Sequence, residues 1–247
     1  MIKILITTLI LTSSIFAEDI YATFNVQADK ESKLTLSSSG IVKKILVDVG
    51  DYVKKDQLLL ELDNEDLKTS ILLEKKKIEL ATLNLKYAKK AYERFEQIKD
   101  VIDEEQFDNY ISKYERSQIE LAEAKANLAY KTAILEKTYL RAPYDGVISS
   151  KEIELGAGVS SAKMETLFTL ITPKKQLLKI SVDEKYLNKI KIGQTFKYTL
   201  DNSDAKKEAK ISKIYPSINP QKRSITLEAS ASDLKVGMFG HGYLKVD

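Results

Sequence analysis

Few side chains in this chain could carry chemistry, and they are scattered. There is one histidine, His241, and no cysteine among 247 residues. His241 stands between Gly240 and Gly242 with no carboxylate cluster beside it in sequence. An imidazole can ligate a metal or move a proton, but both roles need partners that the neighbouring sequence does not supply. Two acidic groups, Asp63-Asn64-Glu65-Asp66 and Glu104-Glu105, could gather a hard cation. Each stands at the start of a long helical pattern, where short acidic side chains cap the helix and complement its dipole. The sequence holds no nucleophile–base spacing and no phosphate-cradling loop. It is read as a non-enzyme with no catalytic residue, cofactor or metal.

The elements around these residues are more telling. One stretch runs from Ser39-Gly40-Ile41-Val42 through Val49-Gly50-Asp51-Tyr52-Val53 to Leu62, and a second runs from Asp145-Gly146-Val147-Ile148 through Leu155-Gly156-Ala157-Gly158-Val159 to Leu170. A shift of 106 overlays Gly40 on Gly146, Gly50 on Gly156 and Val53 on Val159; a shift of 108 then overlays Leu59, Leu60 and Leu62 on Leu167, Phe168 and Leu170. Such self-similarity marks a structural repeat. Strands are expected at Ile45-Val47-Val49 and Ile153-Leu155, with turns at Gly50-Asp51 and Gly156-Ala157-Gly158. Each half is too small to bury a core, so the two are expected to close on each other as a flattened β-sandwich.

Between the halves, residues 64–138 are expected to be helical. Ile71, Ile78, Leu85 and Tyr92 form one line of period seven; Ala81, Ala88 and Phe95 form a second, broken at Glu74. Phe107, Tyr114, Leu121, Leu128 and Leu135 repeat the pattern. Apolar heptads with charged flanks predict an antiparallel coiled-coil hairpin. About 35 residues at 1.5 Å each give an arm of roughly 50 Å. Asp103 is the expected N-cap of the second helix, and Asp63 or Asn64 that of the first.

From Thr172-Pro173 onward the pattern is strand and turn. Leu178-Ile180-Val182, Phe196-Tyr198-Leu200 and Ile225-Leu227-Ala229 each alternate with polar residues, a short helical piece lies near Glu184–Lys191, and Gly240–Val246 closes the chain. These strands predict a small β-barrel that residues 18–38 should join. The fold class is thus mixed and mainly β. The expected order is a signal peptide (1–17), N-terminal barrel strands (18–38), a split sandwich (39–63 and 139–172), an α-hairpin (64–138) and a barrel (173–247), together elongated. The signal peptide rests on Lys3, the uncharged run Ile4–Phe16 and Ala17 before Glu18-Asp19. Thirteen residues is short of the roughly 20 a spanning helix needs, so cleavage is expected, with a retained anchor as the alternative. A cysteine-free exported chain fits a bacterial periplasm. The formal charge of +3 gives no reason to expect nucleic acid.

These residues, in this order, resemble the membrane fusion proteins, or periplasmic adaptor subunits of tripartite efflux pumps. Ser39–Asp63 looks like the family's opening lipoyl half, and Leu140-Arg141-Ala142-Pro143-Tyr144-Asp145-Gly146-Val147-Ile148 like its closing half. Ile190-Lys191-Ile192-Gly193-Gln194 and Val236-Gly237-Met238-Phe239-Gly240 look like its barrel turns. A lipoyl or biotin carrier would need a lysine on the tight turn joining the halves, where residues 64–138 stand instead. The resemblance implies an exported scaffold between an inner-membrane transporter, of RND class in preference to ABC, and an outer-membrane channel of the TolC type. It also implies self-association into a ring of six. At the hairpin tip, Arg94, Ile98, Ile102 and Asp103 occupy the places of the family's channel-contacting residues, with Asp103 where a serine is usual. A membrane-proximal domain is expected to be absent or reduced. Outside the family, the alternative is a coiled-coil envelope protein with no transport role.

Overall fold

The computed structural model describes residues 18–246; the expected leader, 1–17, lies outside them. In chain order the strands are β1 (Glu18–Ala28), β2 (Glu31–Leu34), β3 (Gly40–Ile45), β4 (Tyr52–Val53) and β5 (Leu58–Leu62). Two helices follow, α1 (Glu65–Glu96) and α2 (Glu104–Glu136). Then come β6 (Tyr139–Arg141), β7 (Gly146–Lys151), β8 (Gly158–Val159), β9 (Phe168–Ile171) and β10 (Gln176–Asp183). A 3-10 turn at Glu184–Lys189 leads to β11 (Thr195–Leu200), β12 (Lys206–Asn219), β13 (Ser224–Ala231) and β14 (Phe239–Val246). The chain divides into two compact units, one from its two ends and one from Ser32–Leu170.

The unit of the chain ends is a closed six-stranded barrel in the order β1-β10-β13-β12-β11-β14. Closure follows from the antiparallel pairing of the first strand with the last, Glu18 opposite Val246 through Asn25 opposite Phe239, which leaves no open edge. Alternate residues point inward: Phe24, Val26, Leu178, Ile180, Val182, Phe196, Ile225, Leu227 and Leu244 are buried together. Phe24 meets Phe196 and Tyr198 edge to face at 5.8 and 5.1 Å. Strand β12 goes unmarked in the sequence. Its alternation breaks at two register shifts, between Ile211 and Lys213 and between Ile214 and Ile218, and Pro216 falls inside it.

In Ser32–Leu170 two four-stranded sheets, β2-β9-β7-β4 and β6-β5-β3-β8, enclose a second core that includes Val53, Leu59, Leu60, Leu62, Ile148, Leu167, Phe168 and Leu170. The repeat has a structural meaning here. Gly40 pairs with Val159 and, 106 residues on, Gly146 pairs with Val53. Gly50 N–H donates to the Ile148 carbonyl at 2.8 Å, and Gly156 N–H donates to the Val42 carbonyl at 3.0 Å. Each half therefore completes the other, related by an approximate two-fold. Gly50 and Gly156 turn the chain at φ +92 and +80, a region a side chain resists.

Two expectations are corrected here. Residues 31–34 do not join the barrel: β2 edges the sandwich beside β9, as the counterpart of β6 on the other sheet. The strands expected at Ile45-Val47-Val49 and Ile153-Leu155 are not regular. β3 ends at Ile45 and β7 at Lys151, and beyond them Val47 and Ile153 are buried while Val49 and Leu155 are largely exposed. A bulge between Val42 and Lys44 and the turn that follows break the two-residue period.

Candidate functional site, the helical pair and its tip

The helical pair leaves and re-enters the sandwich between adjacent strands. β5 and β6 are antiparallel neighbours, Glu61 opposite Tyr139, and Leu62 N–H donates to the Thr138 carbonyl at 3.0 Å. Asn64 sits at the N-cap of α1 but makes no capping hydrogen bond. Its side chain is buried and donates to Thr138 Oγ1 at 2.9 Å, tying the start of one helix to the end of the other. That overturns its expected capping role. Around this root, Glu61 is 5% exposed and is met by the ammonium groups of Lys68 at 3.1 Å and Lys44 at 3.4 Å. Burial pushes the Glu61 carboxyl up, but hydrogen bonds from Lys68 and Lys44 outweigh it and hold the group below the ordinary carboxylate range. Lys43 bridges Asp63 and Glu65 at 3.1 Å each.

Along the seam, Ala81 and Ala88 are buried on α1 and Ser117 on α2, where small residues let the backbones approach. Glu74, where the apolar line breaks, is buried in the seam as well. Lys77 donates to its Oε1 at 2.9 Å, while Oε2 has no hydrogen-bond partner. Toward the far end the seam becomes aromatic. Phe95 stacks on Tyr110 at 3.9 Å, and Tyr92 stacks on Tyr114 at 5.3 Å and on Phe107 at 6.1 Å. Tyr92 also donates its hydroxyl proton to Glu96 Oε1 at 2.7 Å, which raises the phenol above its usual pKa. These flat contacts lock the register of the last turns before the connection.

The tip residues singled out in the sequence fall on three successive segments. Arg94 lies exposed on the last turn of α1 and makes no ion pair among the described residues. Ile98 and Ile102 belong to the connection, held by Ile98 N–H donating to Phe95 O and Val101 N–H to Ile98 O. Asp103 caps α2, accepting from the N–H groups of Glu105 at 2.9 Å and Gln106 at 3.3 Å. Sequence reasoning missed Val101, which is 81% exposed at the centre of the connection. It also missed Tyr110, which lies off the marked heptad line but faces Phe95. His241 lies on the barrel, half exposed, with Nδ1 3.2 Å from an Asp201 carboxylate oxygen. Among the described residues no cluster of metal-ligating side chains occurs.

The profile of the CzcB-like, barrel-sandwich hybrid domain family matches residues 30–171, more than half of the chain. The chain belongs to this family of membrane fusion proteins. The barrel-sandwich hybrid of the family's name is the interlocked pair of sheets described above. The cobalt-zinc-cadmium resistance protein CzcB of Cupriavidus metallidurans is 24% identical over 223 residues, covering 85% of this chain and 42% of that protein. The chain thus spans less than half the length of this curated relative. Among solved structures, MacA from Actinobacillus actinomycetemcomitans superposes with a TM-score of 0.82 at 19% identity, over 94% of this chain and 79% of that one. The membrane fusion protein Spr0693 from Streptococcus pneumoniae R6 superposes with a TM-score of 0.74 at 16% identity, over 92% of this chain and 99% of that one. At such identities the likeness concerns the fold.

Proposed function

We propose that this chain is the periplasmic adaptor of a tripartite efflux system, joining an inner-membrane transporter of RND class to an outer-membrane channel. The observation that carries this reading is the pairing of an interlocked sandwich with an inserted helical pair whose tip carries Arg94 on the last turn of α1 and Ile98, Val101 and Ile102 on the connection. Family membership supports it. The chain couples and seals; its transporter supplies the energy. The helical pair acts as a coiled-coil hairpin whose tip meets the channel, the barrel end faces the transporter, and copies associate side by side, six to a ring. The protein works in the periplasm, held at the inner membrane through its transporter. Among the described residues no helix is long and apolar enough to span a bilayer.

Small molecules, drugs included, are the proposed cargo. The names of two relatives, a cobalt-zinc-cadmium resistance protein and a cation efflux system protein, favour divalent transition-metal ions as a second reading. Deleting the gene and titrating drugs beside cobalt, zinc and cadmium separates the two. Arg94→Glu tests the tip: export-dependent tolerance should be lost while helix content and melting temperature stay nearly unchanged. Full tolerance at normal expression would remove Arg94 from the contact. Cross-linked co-purification identifies the transporter, and recovery of an ABC-type exporter would replace the RND assignment.

A further inference from the structure

One strand of the barrel is covered on both faces. On β13, Ile225, Leu227 and Ala229 belong to the core, and the alternate residues Ser224, Thr226 and Glu228 point outward. An outward face of a barrel strand normally meets water, yet Ser224 and Glu228 are each only 8% exposed. The cover includes β12. Its register passes from Ile214 opposite Leu227 to Ile218 opposite Ile225, so Tyr215, Pro216 and Ser217 stand against Thr226 alone. Such a bulge bends the strand, and Tyr215 reaches across to donate to Glu228 Oε2 at 3.0 Å. The same oxygen accepts from Lys179 Nζ at 2.7 Å, and the ammonium lies 4.4 Å from the centre of the Tyr215 ring. Beside this closed cluster is a recess of about 360 Å³ lined from β1, β10, β12 and β13. That is the small end of ligand pockets, which run to roughly 300–1,000 Å³.

The polar groups of this recess are left unsatisfied. The hydroxyls of Ser181, Ser224 and Thr226 and the side-chain amides of Asn25 and Gln27 make no hydrogen bond among the described residues. Polar groups sheltered from water call for partners. No Asp or Glu lines the recess, so it lacks the carboxylates that a hard cation favours. Ile180 is its one aliphatic lining residue, so it offers little to an apolar molecule. Charge is available at a single point. Lys222, on the turn between β12 and β13, is exposed and makes no ion pair among the described residues, whereas Glu228 already cancels the charge of Lys179. Hydroxyl and amide side chains both donate and accept, as the hydroxyls of a sugar do. We propose that this recess binds a hydroxylated carboxylate the size of a sugar acid. Lys222 takes the carboxylate, and Asn25, Ser181, Ser224 and Thr226 take the hydroxyls. A free acid and the acidic end residue of a glycan present the same groups. The inference rests on the barrel alone and stands apart from the adaptor reading.

Isothermal titration calorimetry on the full chain tests it with four probes: glucuronate, methyl glucuronoside, glucose and acetate. Glucuronate should bind saturably and about tenfold more tightly than glucose, which lacks the charge, or acetate, which lacks the hydroxyls. Two variants locate the site. Lys222→Gln changes an exposed turn residue, and Ser181→Leu fills the recess from outside the core, so both should keep the parent's melting temperature. Each should weaken glucuronate binding by about tenfold or more. Methyl glucuronoside binding as well as glucuronate assigns the recess to the end of a glycan, and failing to bind assigns it to the free acid; either result keeps the proposal. Three results would overturn it. One is no saturation by about 10 mM glucuronate, ten times a millimolar Kd. Another is glucose or acetate binding as tightly as glucuronate. The third is parental affinity in both variants, which would put the ligand elsewhere on the molecule.

Discussion

Among single residues, Gly242 and Glu61 carry the sharpest consequences. A Cβ on Gly242 would lie 2.3 Å from the Lys197 carbonyl and 2.8 Å from the Phe196 ring. Backbone from the paired strand cannot yield, so Gly242→Ala should cost about 3 kcal/mol, read as a lowered denaturant midpoint. Steric need at this point also accounts for the glycines on both sides of His241, since Gly240 faces the Thr199 carbonyl at the same 2.3 Å. For Glu61 the effect is pH-dependent. Its folded pKa lies below the unfolded one, so the stabilisation is complete above the unfolded value of about 4.3 and is lost as pH falls through the folded value. Glu61→Gln should flatten the fall in melting temperature below about pH 5 relative to the parent. An equally steep fall in the variant would place the acid sensitivity elsewhere.

Elements differ in how openly the sequence declares them. The seven-residue spacing marks residues of α1 and α2 that are half-buried, Ile71, Ile78, Leu85, Tyr114 and Leu121 among them, because the helix period is local and independent of distant partners. Asp103 announces its cap for the same reason. Strand β2 does not, since its place at the sandwich edge is fixed by β9, far along the chain. Asn64 has the right type and place for a cap yet turns inward to Thr138, a partner no local rule supplies. Of the tip, the sequence names Arg94, Ile98, Ile102 and Asp103 but cannot rank Val101 above them, because exposure there depends on how the connection folds. At this scale the insertion itself can be tested. With Leu62 and Thr138 hydrogen-bonded neighbours, replacing residues 64–138 by a two-residue turn should leave a soluble sandwich that unfolds cooperatively, checked by circular dichroism. An unfolded product would mean that the helices are needed to hold the two sheets together.

For the whole molecule, two separate hydrophobic cores govern stability, one in the barrel and one in the sandwich. Each core should unfold with its own midpoint, and Gly242→Ala should move only the barrel's transition, as followed by hydrogen exchange. If both transitions move together, the two cores are one cooperative system.

The interlocked sandwich also dictates an order of events as the chain is made. Neither half can close until its counterpart has emerged, because Gly40 waits for Val159 and Val53 waits for Gly146. At roughly 5–20 residues per second, the first half spends several seconds without its counterpart, with only β3 and β5 able to pair. The helical pair shortens the search, since its contacts are local and form in far less time. As the helices zip together they carry Thr138 to Leu62 and deliver the late half to the early one. The helical insert thus serves, during synthesis, as the tether that lets a divided domain find itself.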